Sequence, residues 1–131
     1  MKKTAISLIL ALILICLSAC GTAVKIGGFS SLYFNGDDFD EAVNQLMIDF
    51  KRFEGCTLQE VNYAGDKTVK AEADARNYPV EHIMVLEITF TTDGEERANA
   101  FEPNQTYEHY TWTYARDFVG GPWYELDHGY C

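Results

Sequence analysis

The sequence predicts an α+β domain in which one N-terminal amphipathic helix packs on a curved antiparallel sheet of three to four strands. Apolar residues recur every three or four positions over residues 39–53, the period of a helix that buries one face. Residues 82–92 and 106–116 instead alternate between apolar and polar side chains, the period of half-buried strands. A helix followed by strands that are joined by turns is typical of the α+β class.

The first nineteen residues have the layout of a secretory signal. Two lysines open the segment, and the apolar run behind them is too short for a membrane span. Ser18 and Ala19 then precede Cys20, and Gly21 follows it. This segment resembles the lipobox of bacterial lipoproteins, which implies that Cys20 becomes the first mature residue and carries a diacyl anchor on its sulfur. An ordinary signal peptide and an uncleaved anchor are the alternatives.

Removal of the signal leaves 112 residues, a length that suits one domain with a single core. We therefore divide the chain into a signal peptide (1–19), a lipidated cysteine with a flexible tether (20–31) and one α+β domain (32–131). Loss of the two lysines lowers the formal net charge from −10 to −12. Nucleic acid and anionic lipid head groups repel a chain this acidic, so we expect no nucleic-acid partner.

Two cysteines remain in the mature chain apart from the lipidated one. In an oxidising exterior, Cys56 and Cys131 can form a disulfide that closes a loop of about 75 residues, and the bond then contributes about 4 kcal/mol to stability. Two unpaired thiols are the alternative. No CxxC or HxxxH spacing accompanies these cysteines, so the sequence does not predict a zinc site.

The predicted helix at 39–53 carries signals at both ends. Asp38 is placed as its N-cap, with Glu41 three residues on as the partner in a capping box. Two basic residues in the last turn favour the carboxyl end of the helix dipole, and Gly55 is a stop signal.

The remaining chain predicts the strands of the sheet. Residues 57–64 form a first strand that ends at a Gly-Asp turn signal. The charged residues 67–76 are compatible with a loop or a short helix. After the strands at 82–92 and 106–116, a Gly-Gly-Pro turn leads into a last strand at 123–128. The alternation over 82–92 places four apolar residues on one face: Met84, Leu86, Ile88 and Phe90.

Aromatic side chains mark the best candidate for recognition. The candidate binding face consists of Tyr110, Trp112, Tyr114 and Trp123. Surfaces that mix aromatic rings and hydroxyl groups recur where proteins bind peptides, glycans or other proteins. A core beneath the helix would show the same residues, so both interpretations stay open.

One combination of residues suits an isomerase-like site, with Glu87 as base and Tyr110 or Tyr114 as electrophile. A carboxylate on the solvent face of a strand is the alternative. Acyl and phosphoryl transfer have no support, because the chain contains no GxSxG motif and no glycine-rich phosphate loop. The acids at 35–41 lack the spacing of an EF-hand and are explained by a helix cap, so we expect no metal and no cofactor.

Several short segments together resemble small lipoproteins of clostridial and related Gram-positive bacteria. They are Phe53-Glu54-Gly55-Cys56-Thr57-Leu58, Tyr63, the strand ending in Phe90, Tyr110-Thr111-Trp112, Arg116, Trp123 and Gly129-Tyr130. The likeness covers residues 30–131, and such domains are similar to the cystatin-like and nuclear-transport-factor-two-like group. It implies a cone-shaped fold of helix on sheet. Proteins of that shape include isomerases, dehydratases and non-catalytic binders, so the shape does not decide the function.

The sequence as a whole favours a non-catalytic binding domain, anchored by lipid on Cys20 at the extracytoplasmic face of the cell membrane. Its partner would be an envelope protein or a small ligand. A small isomerase- or dehydratase-like enzyme that uses the interior of the cone is the alternative. A third hypothesis is an accessory or immunity-type protein that only occupies a partner's surface.

Overall fold

The computed structural model describes residues 23–97 and 101–130, and this part is an α+β domain, as predicted. Its open sheet has five strands, ordered along the sheet as along the chain. The strands are β1 (Lys25–Ile26), β2 (Cys56–Tyr63), β3 (Ile83–Thr92), β4 (Thr106–Ala115) and β5 (Tyr124–Gly129). The helices are α1 (Gly36–Asp49) and α2 (Asp66–Arg76), with short 3₁₀ turns at Phe50–Arg52 and Val80–His82.

The architecture differs from the prediction in two respects. The sheet is mixed, because β1 pairs with β2 in parallel while β2 to β5 form an antiparallel meander. A second helix, α2, lies between β2 and β3. The prediction of one helix on three to four antiparallel strands was therefore too simple.

The segment predicted as a flexible tether is part of the domain from β1 onward. The N–H of Gly27 donates to the carbonyl of Val61 over 2.9 Å, and the ring of Phe29 stacks on that of Phe39 with 4.7 Å between centroids. The glycine and serine pairs of this segment suggested a linker, and a two-residue strand is too short to show alternation. The signal peptide and Cys20 lie outside the described residues.

Helix α1 begins three residues earlier than predicted, because Asn35 and not Asp38 is its N-cap. The side-chain oxygen of Asn35 accepts from the N–H of Asp38 over 2.9 Å, and the Asp38 carboxylate accepts from the N–H of Asn35 over 3.0 Å. The capping box is therefore Asn35 with Asp38, and the predicted pairing of Asp38 with Glu41 was wrong. The buried apolar face is as predicted and includes Phe39, Ala42, Val43 and Leu46.

The charged residues 67–76, which the sequence left as a loop or a short helix, lie in helix α2. Val69 and Ala73, four residues apart, are both fully buried, so this helix covers the sheet with a narrow apolar stripe. Salt bridges at the same spacing link Lys70 to Asp74 and Glu72 to Arg76. Asn77 ends the helix in the left-handed conformation, with φ of 59°.

The two helices cover opposite faces of the sheet. The hydroxyl of Tyr114 in β4 donates to the carboxylate of Asp49 in α1 over 2.7 Å. The neighbouring Thr113 points the other way and shares a cavity with Arg76 of α2. The α1 face holds the four residues predicted to share it in β3, all of them buried: Met84, Leu86, Ile88 and Phe90. Val85 is also buried on the α2 face, so β3 is covered from both sides.

A buried ion pair ties the start of α1 to the end of β4. Arg116, just after β4, is only 1% exposed, and its Nη1 donates to Oδ1 of Asp38 over 2.7 Å. Its Nε donates to the carbonyl of Glu81 over 2.9 Å. The guanidinium carbon lies 4.3 Å from the ring centroid of Trp123, whose Nε1 donates to the carbonyl of Asp38. The pair thus joins α1, the start of β3 and the β4–β5 connection.

We expect Arg116→Met to lower the free energy of unfolding by about 3–5 kcal/mol, because it leaves the Asp38 charge buried without its partner. Urea unfolding followed by circular dichroism measures the loss. Arg76→Met is the matched control, because its ion pairs are partly exposed and should contribute at most about 1 kcal/mol. The double variant Asp38→Asn with Arg116→Met should recover part of the loss. Equal small losses for both single variants would contradict this account.

Candidate functional site: an aromatic cavity

A cavity of about 420 Å³ lies at the end of the sheet where β4 begins and β5 ends. Five of its eight lining residues are Phe or Tyr. The lining consists of Arg52, Phe53, Phe101, Tyr107, Tyr110, His128, Gly129 and Tyr130. The 3₁₀ turn after α1, the residue that follows it, the β3–β4 connection, β4 and the end of β5 therefore contribute to one site.

A β-bulge in β4 brings two of the tyrosines to the same face. Phe90 pairs with Tyr107 and Ile88 with Tyr110, so two residues of β4 lie between these pairs and only one residue of β3 does. The extra residue is His109, whose φ is 57°. Strict alternation would place residues three apart on opposite faces of the strand. Because of the bulge, Tyr107 and Tyr110 both line the cavity.

The aromatic rings of the lining form a continuous wall. Phe53 lies 5.2 Å from Phe101 and 6.1 Å from Tyr110, measured between ring centroids. Phe101 lies 5.2 Å from Tyr107, and Tyr110 lies 5.3 Å from Tyr130. Edge-to-face and tilted contacts of this kind stabilise one another beyond their area alone. The wall is thus packed in place by ring contacts.

Tyr110 carries the most perturbed hydroxyl of the cavity. Its oxygen lies 2.7 Å from Nδ1 of His128, within hydrogen-bond distance. Burial, the neighbouring Tyr130 and the carboxylates of Asp127 and Glu125 together raise the pKa of Tyr110 to about 12. Tyr110 therefore stays a neutral phenol at physiological pH.

The arginine of the lining is already paired. Nη2 of Arg52 bonds Oε2 of Glu125 over 2.7 Å, and its Nε donates to the carbonyl of Asp49. Its guanidinium carbon also lies 5.7 Å from the ring centroid of Trp112. The second oxygen of Glu125, Oε1, is buried, and no group within the described part of the chain hydrogen-bonds to it. The Glu125 carboxylate can therefore accept a further hydrogen bond at Oε1.

The predicted binding face is divided by the structure. Tyr110 lines the cavity, but Trp112 and Tyr114 are fully buried and belong to the core, Trp112 beneath the 3₁₀ turn at Phe50–Arg52 and Tyr114 beneath α1. Trp123 is also buried, at the other end of the sheet against Arg116. The four residues therefore do not form one exposed face, because all four are buried in the core, and Tyr110 alone also lines the cavity.

Four aromatic residues of the cavity were missed by sequence reasoning. Phe53 was assigned to the buried face of the predicted helix, and Phe101 lies in a segment without a period. Tyr107 is out of phase with Tyr110 in strict alternation, and Tyr130 follows the predicted last strand. Their common signal is that each lies at or beyond the end of an element.

The predicted catalytic set is not assembled. Glu87 lies on the face opposite Tyr110 and Tyr114, where its carboxylate bonds Nδ1 of His109. The His109 side chain is 80% exposed. Glu87 is therefore a carboxylate on the outer face of the strand, the alternative weighed for it, and the assignment of Glu87 as base for these tyrosines was wrong.

Neither a metal site nor a membrane-spanning helix is found in the described part of the chain. Among residues 23–97 and 101–130, no three His, Cys, Asp or Glu side chains are grouped as metal ligands. Within the same ranges, neither helix has the length and apolar character needed to cross a bilayer.

Burial and the nearby charge of Asp93 raise the pKa of the half-buried Cys56 thiol. Cys131 lies outside the described residues, so its disulfide with Cys56 stays a prediction.

Comparison with known proteins leaves the family open. No protein-family model matches the chain. Searches against curated proteins and against solved structures find no significant match. The resemblance to small Gram-positive lipoproteins therefore stays a prediction.

We expect the pKa of His109 to lie above its ordinary value, because Glu87 bonds the imidazole and its negative charge favours the protonated ring. Glu87→Gln should lower that pKa toward about 6.5. Because the pKa is raised in the folded state, the pair stabilises the fold below the unfolded pKa, and this contribution is lost as the pH rises through the folded one.

An NMR titration of the imidazole protons measures the His109 pKa in both proteins. His128 serves as the internal reference, because it lies on the cavity side and does not contact Glu87. The same His109 pKa in the wild type and in Glu87→Gln would refute the pairing.

Proposed function

We propose that this chain is a non-catalytic binding domain, anchored by lipid on the extracytoplasmic face of the cell membrane, whose aromatic cavity holds a small ligand. The observation that carries the proposal is the cavity itself. Its volume of about 420 Å³ falls within the range of small-molecule sites, which is about 300–1,000 Å³. Such sites combine apolar walls with a few polar groups that orient the ligand.

The chemistry of the lining favours binding through ring faces and shape. Five aromatic residues supply apolar area, while the tyrosine hydroxyls, His128 and Arg52 supply the polar groups. The two strongest polar groups are already held by protein partners, Tyr110 with His128 and Arg52 with Glu125. A ligand therefore meets a preformed site, which reduces the entropy lost on binding.

The enzyme alternative is less well supported. An isomerase- or dehydratase-like mechanism in the interior needs a carboxylate base beside the tyrosines. Glu87, the base assigned from the sequence, bonds His109 on the opposite face. The binding proposal needs no such group.

We also propose that the domain is a variant of the cystatin-like or nuclear-transport-factor-two-like group. The order of its main elements supports this, because α1 is followed by an antiparallel meander that packs against it. The parallel strand β1 and the inserted helix α2 are departures from a single helix on an antiparallel sheet. They add an edge strand and a second covered face.

The lipid anchor would hold the domain close to the bilayer. Packing of Val24 against the core leaves only residues 21–23 between Cys20 and the domain. Four peptide units reach about 14 Å at full extension. A diacyl group supplies two chains, which is enough for stable anchoring. The domain would thus lie against the membrane surface with little freedom to leave it.

We expect Cys20→Ser to abolish acylation and to move the protein from the membrane fraction to the soluble or secreted fraction. Fractionation with mass analysis of the purified protein measures both changes. Cys56→Ser is the matched control and should stay in the membrane fraction with its diacyl mass. Stable membrane retention of unprocessed Cys20→Ser would overturn the lipoprotein part of the proposal.

The cavity is tested with N-phenyl-1-naphthylamine, a neutral aromatic probe whose emission rises on burial. We expect Tyr130→Ala to weaken binding about tenfold, because the side chain forms one wall of the cavity and its removal costs on the order of 1.4 kcal/mol. Tyr130 is 58% exposed, so the fold should tolerate the change.

Tyr124→Ala is the matched control for that titration, since Tyr124 begins the strand that Tyr130 follows and lies outside the cavity. Its affinity for the probe should equal that of the wild type. No binding by the wild type, or the same loss in both variants, would refute the cavity as a ligand site.

A further inference from the structure

We infer that the cavity ligand is an organic cation with an apolar body, such as a quaternary ammonium compound, because the aromatic wall lies among carboxylates that outnumber the cations near it. This inference rests on the proposed binding function and names the class of ligand. Cations are attracted to the negative faces of aromatic rings at distances up to about 6 Å from the centroid.

The wall offers several rings to one ligand. Tyr107, Tyr110 and Tyr130 come from β4 and from the residue after β5, and Phe53 and Phe101 close the remaining sides. A trimethylammonium group is apolar on its outside and carries its charge over its methyl groups. It can therefore contact several rings at once without needing a hydrogen-bond acceptor.

The electrostatic surroundings favour positive charge. Burial and a neighbouring tyrosine make the largest contributions to the raised pKa values of Tyr110 and Tyr130. The negative charges of Asp127 and Glu125 raise the pKa of Tyr110 further, and that of Glu108 raises the pKa of Tyr130. Against these three carboxylates stand two permanent cations, Arg52 in the lining, which binds Glu125, and Arg76, which binds Asp127, so the local sum stays negative by one charge. A cation entering the cavity meets a net negative field, whereas an anion is repelled.

The domain already places its own cations on rings in two places. The guanidinium of Arg52 lies 5.7 Å from the centroid of Trp112, immediately behind the cavity, and Arg116 lies 4.3 Å from that of Trp123. The formal net charge of −10 for the whole chain acts in the same direction over longer distances. An organic cation thus fits both the local geometry and the overall charge.

The test compares choline with its neutral isostere, 3,3-dimethylbutan-1-ol, by NMR titration of the aromatic resonances of the cavity. We expect choline to bind about fivefold or more tightly than the alcohol, and added salt to weaken only the binding of choline. Tyr130→Leu keeps apolar area but removes a ring, so it should weaken choline about fivefold and leave the alcohol unchanged. Tyr130→Phe keeps the ring and should retain the affinity for choline.

Each outcome separates this inference from the proposed function. If the alcohol binds as tightly as choline, or choline does not bind while N-phenyl-1-naphthylamine does, the cavity is a ligand site but the cation inference is wrong. If none of the three probes binds, both proposals are wrong. Tighter binding of choline together with the loss in Tyr130→Leu supports the inference.

Discussion

The buried pair of Asp38 and Arg116 is the constraint from which the geometry of the domain follows. Burying two charges is costly unless they are paired and hydrogen-bonded, and in the described part of the chain every side-chain polar atom of this pair except Nη2 of Arg116 has a partner. Here one carboxylate oxygen of Asp38 bonds Arg116 and the other accepts from the N–H of Asn35, so the capping box and the ion pair share one side chain. The start of α1 therefore cannot shift along the sheet without breaking its own cap. The stacking of Arg116 on Trp123 extends this constraint to the β4–β5 connection.

Fixing one end of α1 also positions the other end, about 21 Å away at 1.5 Å per residue. There Asp49 accepts from Tyr114, and Arg52 in the following turn bonds Glu125 of β5. These contacts carry the chain over β4 and β5 and place Phe53 in the cavity wall. The cavity thus lies just beyond the C-terminal end of α1, where the helix no longer covers the sheet. The ion pair lies at the N-terminal end of the same helix.

The sequence predicted best those elements that bury one face, because their apolar residues recur at the regular spacing of a helix or a strand. The strands β2 to β5 lie within two residues of their predicted bounds, and the α1 face of β3 is the one read from alternation. The start of α1 was misplaced because Asn35 and Asp38 are both good caps, and only the tertiary bond of Asp38 to Arg116 distinguishes their roles. Strand β1 has two residues and α2 buries only Val69 and Ala73, so neither carries a period strong enough to outweigh the local composition.

The site was harder to predict because its residues differ from core residues by position and not by type. Tyr110 and Trp112 share one face of β4 and both are buried, yet Trp112 lies beneath the 3₁₀ turn that ends α1, whereas Tyr110 lies beyond it and lines the cavity. Which of the two lines a cavity depends on the length of the helix and its placement across the sheet, which Asp38 sets from the far end. Tyr107 joins them only through a bulge, whose position depends on the register with β3 and not on a pattern within β4. An aromatic strand therefore indicates buried ring area, and the long-range placement of the helix decides which part of that area remains open to a ligand.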